Sequence, residues 1–277
     1  MKSKIRIFLF IFFVTTFNLI GQRQRKEILK KVEPLSIGDR LIFDSDILKE
    51  DRIINVYLPH SYATDTAKNY PVIYLLDGSI NKDFMHIVGI VQFGSYSWIN
   101  FVPESIVVGI ASIDRKKDFT FGKQKNGKRK KDSRRSSDFI KFIDNELIPV
   151  IDKRYRVESE STVIGQSLGG LLVSEILIKK PHIFDNYIII SPTLWWDNAS
   201  LLHQEPVNCL SKKTIFIGVG IEGRVKEQST KVMYQKFKDL NRPNFTVYYE
   251  LFENLDNSNI LHLAVYKAFN IIFKTRE

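Results

Sequence analysis

Apolar residues recur along this chain with two spacings. Unbroken apolar runs at residues 71–76 (PVIYLL), 105–111 (SIVVGIA), 187–190 (YIII) and 214–219 (TIFIGV) predict strands buried on both faces. Residues 52–58 (RIINVYL) roughly alternate and stop at Pro59, which suits an outer strand. Further strands are expected at 162–164 and 245–252. Between these the period changes. Phe139, Phe142, Ile143, Leu147, Val150 and Ile151 share one face of a helix over 138–155, and Pro149 inside it predicts a kink or a restart. Helices are also expected at 168–180, stopped by Pro181, and at 229–240 and 260–274. Strands alternating with helices give an α/β chain with a mostly parallel central sheet and helices on both faces. Residues 23–40 read as a linker, and no internal repeat is visible.

The ends and the charge refine this picture. Lys2, Lys4 and Arg6 precede a largely apolar stretch at 7–20 and then Gly21, the layout of a secretory signal peptide. Fourteen apolar residues are too few to span a bilayer, which takes about 20. The expected organisation is therefore a signal peptide at 1–21, an exported product, and a single domain at 22–277 with no membrane span. The net charge is +10, yet residues 123–135 (KQKNGKRKKDSRR) alone hold eight basic residues and one acid. That is a local run, expected as a solvated loop or as a collar for an anionic ligand. No recognition module accompanies it, so nucleic acid is not an expected partner. A lone cysteine, Cys209, excludes an internal disulfide. No metal constellation or phosphate loop appears, so no cofactor is expected.

Candidate chemistry centres on Gly165-Gln166-Ser167-Leu168-Gly169, a G-x-S-x-G. It follows a β-branched strand and opens a helix, the setting of a nucleophile elbow that lifts a serine hydroxyl out of the sheet. An oxyanion needs backbone donors. Leu168 N–H is one candidate, and Gly78, in the turn that ends the 71–76 strand, is the second. An acid is expected at a strand's C-terminal edge, and Glu222 in the glycine-rich loop after 214–219 fits, with Asp256 in reserve.

Five segments carry a resemblance: YPVIYLLDG (70–78), DRKKDFT (114–120), FIDNELIPVIDKRYRV (142–157), VIGQSLGGLL (163–172) and YIIISPTLWWDN (187–198). IFIGVGIEG (215–223) matches more loosely. Together they resemble the α/β-hydrolase esterase family that contains enterochelin and other siderophore esterases and esterase D. The resemblance implies an α/β-hydrolase fold and a carboxylic-ester hydrolase acting on a small-molecule ester. It further implies Ser167 as nucleophile, Glu222 as the triad acid, and Trp195 and Trp196 beside the pocket. Arg115, in the second segment, is expected to face the substrate, and an anionic ester would suit it and the basic run.

One position departs from the family. Its histidine stands about five residues after a strand-end aromatic and nine before a helix tyrosine. Counted from Phe252 and from Tyr266, both land on Asn257. An amide does not take up a proton near neutral pH. His262 is the expected substitute base if the loop and first helical turn carry it to the serine, with His86 as the alternative. His60, His182 and His203 read as surface residues. Three readings follow: a secreted serine esterase, a degenerate hydrolase that binds without turnover because of Asn257, and an acyltransferase built from the same parts.

Overall fold

The computed structural model describes residues 30–122 and 135–273. The expected signal peptide, the domain start at 22 and all but Arg135 of the basic run lie outside the described residues. The chain divides into two units, 1–36 and 37–277. In the first, residues 30–36 carry no regular structure, and Lys31 pairs with Glu33. The second holds all the helices and strands among the described residues.

Eight strands form one sheet: β1 (Gly38–Ser45), β2 (Glu50–Tyr57), β3 (Tyr70–Leu76), β4 (Ile106–Ile110), β5 (Val157–Gln166), β6 (Asn186–Ile190), β7 (Lys213–Gly220) and β8 (Phe245–Phe252). Their order is β1-β2-β4-β3-β5-β6-β7-β8. β2 runs antiparallel to both neighbours, and every other pairing is parallel. β1 is unforeseen, since 38–40 had read as linker. It is an edge strand, half-exposed, with only a weak alternation of apolar residues.

Side chains alternate between the two faces of a strand, and here the alternation assigns each residue to one of two cores. Val72, Tyr74 and Leu76 of β3 face one core, and Ile73 and Leu75 the other. Tyr187 and Ile189 of β6 likewise part from Ile188 and Ile190. The first core takes the long helical segment 136–154, α5 (Leu168–Lys179) and α6 (Arg224–Asp239); the second takes α1 (Phe84–Gly94) and α7 (Ile260–Ile272). Both faces are thus covered, as the unbroken apolar runs require.

The segment 136–154 has α3 (Ser136–Phe142) and α4 (Ile148–Arg154) at its ends and no break at Pro149. A π-helical turn, Ile143–Leu147, lies immediately ahead of the proline. Proline removes an N–H and crowds the preceding turn; the wider turn absorbs that misfit, and the α-helix restarts at Ile148 with Pro149 in its first turn, one of the two outcomes expected.

α2 (Arg115–Phe119) is short and is tied to the sheet by charge. Asp114 caps it by accepting from the N–H groups of Lys116 and Lys117. Arg52 of β2, fully buried, donates two hydrogen bonds to Asp118, at 2.7 and 2.9 Å, and also pairs with Glu50. This fixes the helix that presents Arg115.

Candidate active site

The functional side chains gather at the carboxyl ends of β3, β5, β6, β7 and β8, where open parallel sheets place their sites. Ser167 lies between β5 and α5 with φ 56° and ψ −113°, a strained conformation for a residue with a Cβ. Three hydrogen bonds hold it there. Its N–H donates to Ile190 O (3.0 Å), and its carbonyl accepts from Leu171 N–H (2.9 Å) and Thr193 N–H (3.1 Å). The turn is too tight for a side chain at Gly165, where a Cβ would sit 2.4 Å from the Gly169 carbonyl oxygen. Ser167 Oγ is half-buried and shares a hydrogen bond of 3.3 Å with Thr193 Oγ1.

Leu168 is the first residue of α5, so its N–H has no acceptor within the helix and remains a candidate oxyanion donor. Gly78 is not available in the same way. Its N–H donates to Ile110 O at 2.9 Å, because the chain after β3 folds tightly against the end of β4. The glycine is there for closeness: a Cβ would lie 2.3 Å from Gly109 Cα. The expectation of Gly78 as an oxyanion donor is therefore corrected.

Asp77, at φ 58° and almost wholly buried, accepts from Ser112 Oγ (2.6 Å) and from Arg115 Nε (2.9 Å). Arg115 also extends Nη2 to within 3.5 Å of the Gln166 carbonyl. A guanidinium is thus held beside the elbow. Trp195 is 42% exposed and borders the site. Trp196 turns away: its indole N–H donates to Phe121 O at 2.9 Å and its ring packs against the first core. Of the two tryptophans expected beside the pocket, Trp196 is turned to the first core and Trp195 lies beside Lys226.

Glu222 follows β7, with its side chain only 5% exposed. Both carboxylate oxygens are committed, Oε1 to Ser191 Oγ and Oε2 to Lys226 Nζ. Lys226, 9% exposed, also donates to Asn257 Oδ1 at 3.0 Å and lies 5.5 Å from the Trp195 ring centroid. Asn257 stands beside the elbow, since Gln166 Nε2 donates to its carbonyl at 2.5 Å. Asp256, the reserve acid, is a turn residue. Its carboxylate accepts from Ser258, which holds its pKa below the ordinary value.

His262 does not reach the serine. It is exposed on α7, its ring edge-to-face with that of His86 on α1, centroids 6.3 Å apart. All five histidines are exposed and none hydrogen-bonds to Ser167. The reason is helical phase. Ile260, Ala264, Val265 and Ala268 bury one stripe of α7, and position 262 falls outside it. The expected substitute base is thus contradicted, for His262 and for His86 alike.

Sequence reading missed Ser191, Thr193 and Lys226. Lys226 had a signal, being four residues after Glu222, a spacing at which side chains meet on a helix. The helix had been expected to begin only at 229.

Comparison with known proteins agrees with this geometry. The crystal structure of the BES protein from Bacillus cereus superposes with a TM-score of 0.77 at 25% identity, covering 89% of this chain and 98% of that one. An IroE-like serine hydrolase from Shewanella oneidensis gives a TM-score of 0.75 at 23% identity, covering 86% and 80%. Ferri-bacillibactin esterase BesA from Bacillus subtilis (strain 168) is 28% identical over 168 residues. That match spans 55% of this chain and 58% of the relative, so the chain corresponds to little more than half of its length. The profile of the family described as "Putative esterase" matches residues 45–255. With an α/β-hydrolase sheet, a strained serine turn and a match over most of its length, the chain belongs to that esterase family.

Proposed function

We propose that the protein is a serine ester hydrolase of the siderophore-esterase type whose turnover is slow. The observation that carries this is the backbone of Ser167, held at positive φ by three hydrogen bonds at a helix N-terminus. Strain of this kind persists where the surroundings enforce it, and it aims the hydroxyl out of the sheet. In this reading Ser167 Oγ attacks an ester carbonyl and Leu168 N–H receives the oxyanion. The alcohol leaves with a proton, and water then cleaves the acyl–serine bond. With no imidazole at the serine, its proton passes to water. A positioned acid–base group contributes roughly 10²–10⁴-fold, and the rate is lower by that factor.

The substrate class comes from ferri-bacillibactin esterase among the relatives and from Arg115, whose guanidinium suits an anionic catecholate ester. The basic start and apolar stretch at 1–20 support export, with cleavage near Gly21. Mass spectrometry of the mature N-terminus tests this; Met1 on an intracellular product would end it. A second reading, ligand binding without turnover, is favoured by Asn257 in the loop between the last strand and the closing helix.

The deciding experiment compares wild type with Ser167→Ala on ferri-bacillibactin and on p-nitrophenyl acetate. The esterase reading expects slow release of product above the uncatalysed rate, lost in Ser167→Ala. Equal rates for the two proteins, with binding of ferri-bacillibactin retained, would establish the binding reading.

A further inference from the structure

Lys226 is a buried cation in a place where an esterase of this architecture needs a neutral base. In the order serine, acid, histidine, the histidine comes from the segment after the last strand. Here that segment carries Asn257, beside the elbow through its bond with Gln166. An imidazole in this position has two tasks: one nitrogen donates to the acid and the other takes the serine proton. The first task is already filled. Glu222 Oε2 accepts from Lys226 and Oε1 from Ser191, so each oxygen already holds a donor and an imidazole N–H would have to share one with the ammonium or the hydroxyl. The ammonium has three N–H groups. Two go to Glu222 and Asn257, and the Trp195 ring lies near the third.

We infer that Lys226 is a positioning residue that replaces the imidazolium in charge but not in proton transfer, holding Glu222 and Asn257 together and excluding a histidine base. Lys226 Nζ is bonded to Glu222 and Asn257 and makes no hydrogen bond to Ser167, so Lys226 is not itself the base. The inference rests on the reading of Ser167 as nucleophile. It adds that the site departs from a triad by two coupled changes, at 226 and at 257. Asn257→His alone sets an imidazole against an ammonium, and a like charge disfavours its protonated form. The charged groups on the neighbouring segments are Glu222, Arg224, Lys226 and Glu227 around the start of α6, and Glu253 and Asp256 in the loop after β8. Removing the lysine in the same protein frees Glu222 to accept from the imidazole.

The experiment compares Asn257→His, Lys226→Met and the double variant, with p-nitrophenyl acetate as substrate and folding checked by circular dichroism. Asn257→His alone should raise the rate less than tenfold. The double variant should raise it roughly 10²–10⁴-fold, the worth of a positioned base, with activity growing as pH passes through the imidazole range. Adding Ser167→Ala should remove the gain. NMR titration of the introduced imidazole gives a second readout. Its pKa should lie below about 6.5, the ordinary value, with Lys226 present and above it in the double variant. A full gain from Asn257→His alone, or a raised imidazole pKa beside Lys226, overturns the inference. So does a folded double variant that gains nothing while Ser167→Ala still lowers the wild-type rate. If Ser167→Ala has no effect in wild type, the nucleophile reading is what fails; the titration then still decides whether Lys226 competes for Glu222.

Discussion

The two halves of the site are maintained by different means. The elbow half, Gly165 to Gly169, is defined by backbone: a positive φ at Ser167, a close approach at Gly165 and a helix that starts at Leu168. The opposite half, Glu222, Lys226 and Asn257, is defined by side-chain charge and hydrogen bonding. Many packed atoms fix the first, whereas the few hydrogen bonds around Lys226 hold the second. A single substitution can therefore rearrange the charged half while the elbow keeps its shape.

Breaking the charged half should have the largest effect on stability. Glu222→Ala leaves the Lys226 ammonium buried without its carboxylate. Removing one partner of a buried pair costs about 3–5 kcal/mol, to be read from urea denaturation. Arg52→Met, at the pair with Asp118, should cost a similar amount and, by loosening the helix that presents Arg115, raise KM for an anionic ester. If Glu222→Ala proves neutral, the pair is open to water and the contrast between the halves dissolves.

Breaking the elbow should cost less and act on shape. Gly165→Ala drives a Cβ onto the Gly169 carbonyl oxygen; overpacking of this kind costs about 1–3 kcal/mol. Ser167→Gly works in the other direction. It removes the hydroxyl and relieves the positive φ, so turnover should vanish while stability rises by about 1 kcal/mol. A fall in stability would mean that Ser167 is not strained.

Arg115→Ala should raise KM for an anionic ester by severalfold at low salt, and less at high salt, since exposed charge is screened. A neutral ester should show little change. An equal loss for both would give Arg115 a purely structural role through Asp77.

The smallest effect concerns acid. Glu104 is partly buried, which alone raises its pKa, but hydrogen bonds from Lys68 and Ser61 outweigh burial and hold it below the usual range. Glu50 is likewise lowered, with Lys117 and Arg52 opposing burial. A lowered folded value means the unfolded chain binds protons first. These contributions are therefore present above about pH 4.5 and fade as pH falls through the lowered values. Urea midpoints in acid should fall less steeply in Glu104→Gln than in wild type.

Much of this was legible in the chain. The unbroken runs at 71–76, 187–190 and 214–219 became the buried strands β3, β6 and β7 because sheets covered on both faces leave no polar stripe. G-x-S-x-G and the glycine-flanked Glu222 marked two corners of the site. Asn257 was identified by counting from Phe252 and Tyr266. What escaped depended on contacts across the fold. Lys226 counts as one more surface lysine until α6 begins early enough to face it inward. Gly78 looked like a donor until its N–H met Ile110. His262 could serve only if the loop and first helical turn were rebuilt to carry it inward, and the regular helix from Ile260 leaves it exposed. α1 went unseen because FMHIVGIVQFG, almost wholly apolar, shows little helical contrast.

Strand order also has a consequence for biosynthesis. A growing chain completed to about residue 195 already contains the elbow and the strands that flank it on the β3 side. The outer edge of β6, every residue of which is buried in the finished protein, has no partner until β7 emerges. Ser191 N–H waits for Gly218 O, and Ser191 Oγ for Glu222. An open apolar edge invites pairing with other chains. The last third of the polypeptide, which completes the charged half of the site, thus also shields its middle during synthesis. Chains truncated between β6 and β7 should be the ones that aggregate on the ribosome's timescale.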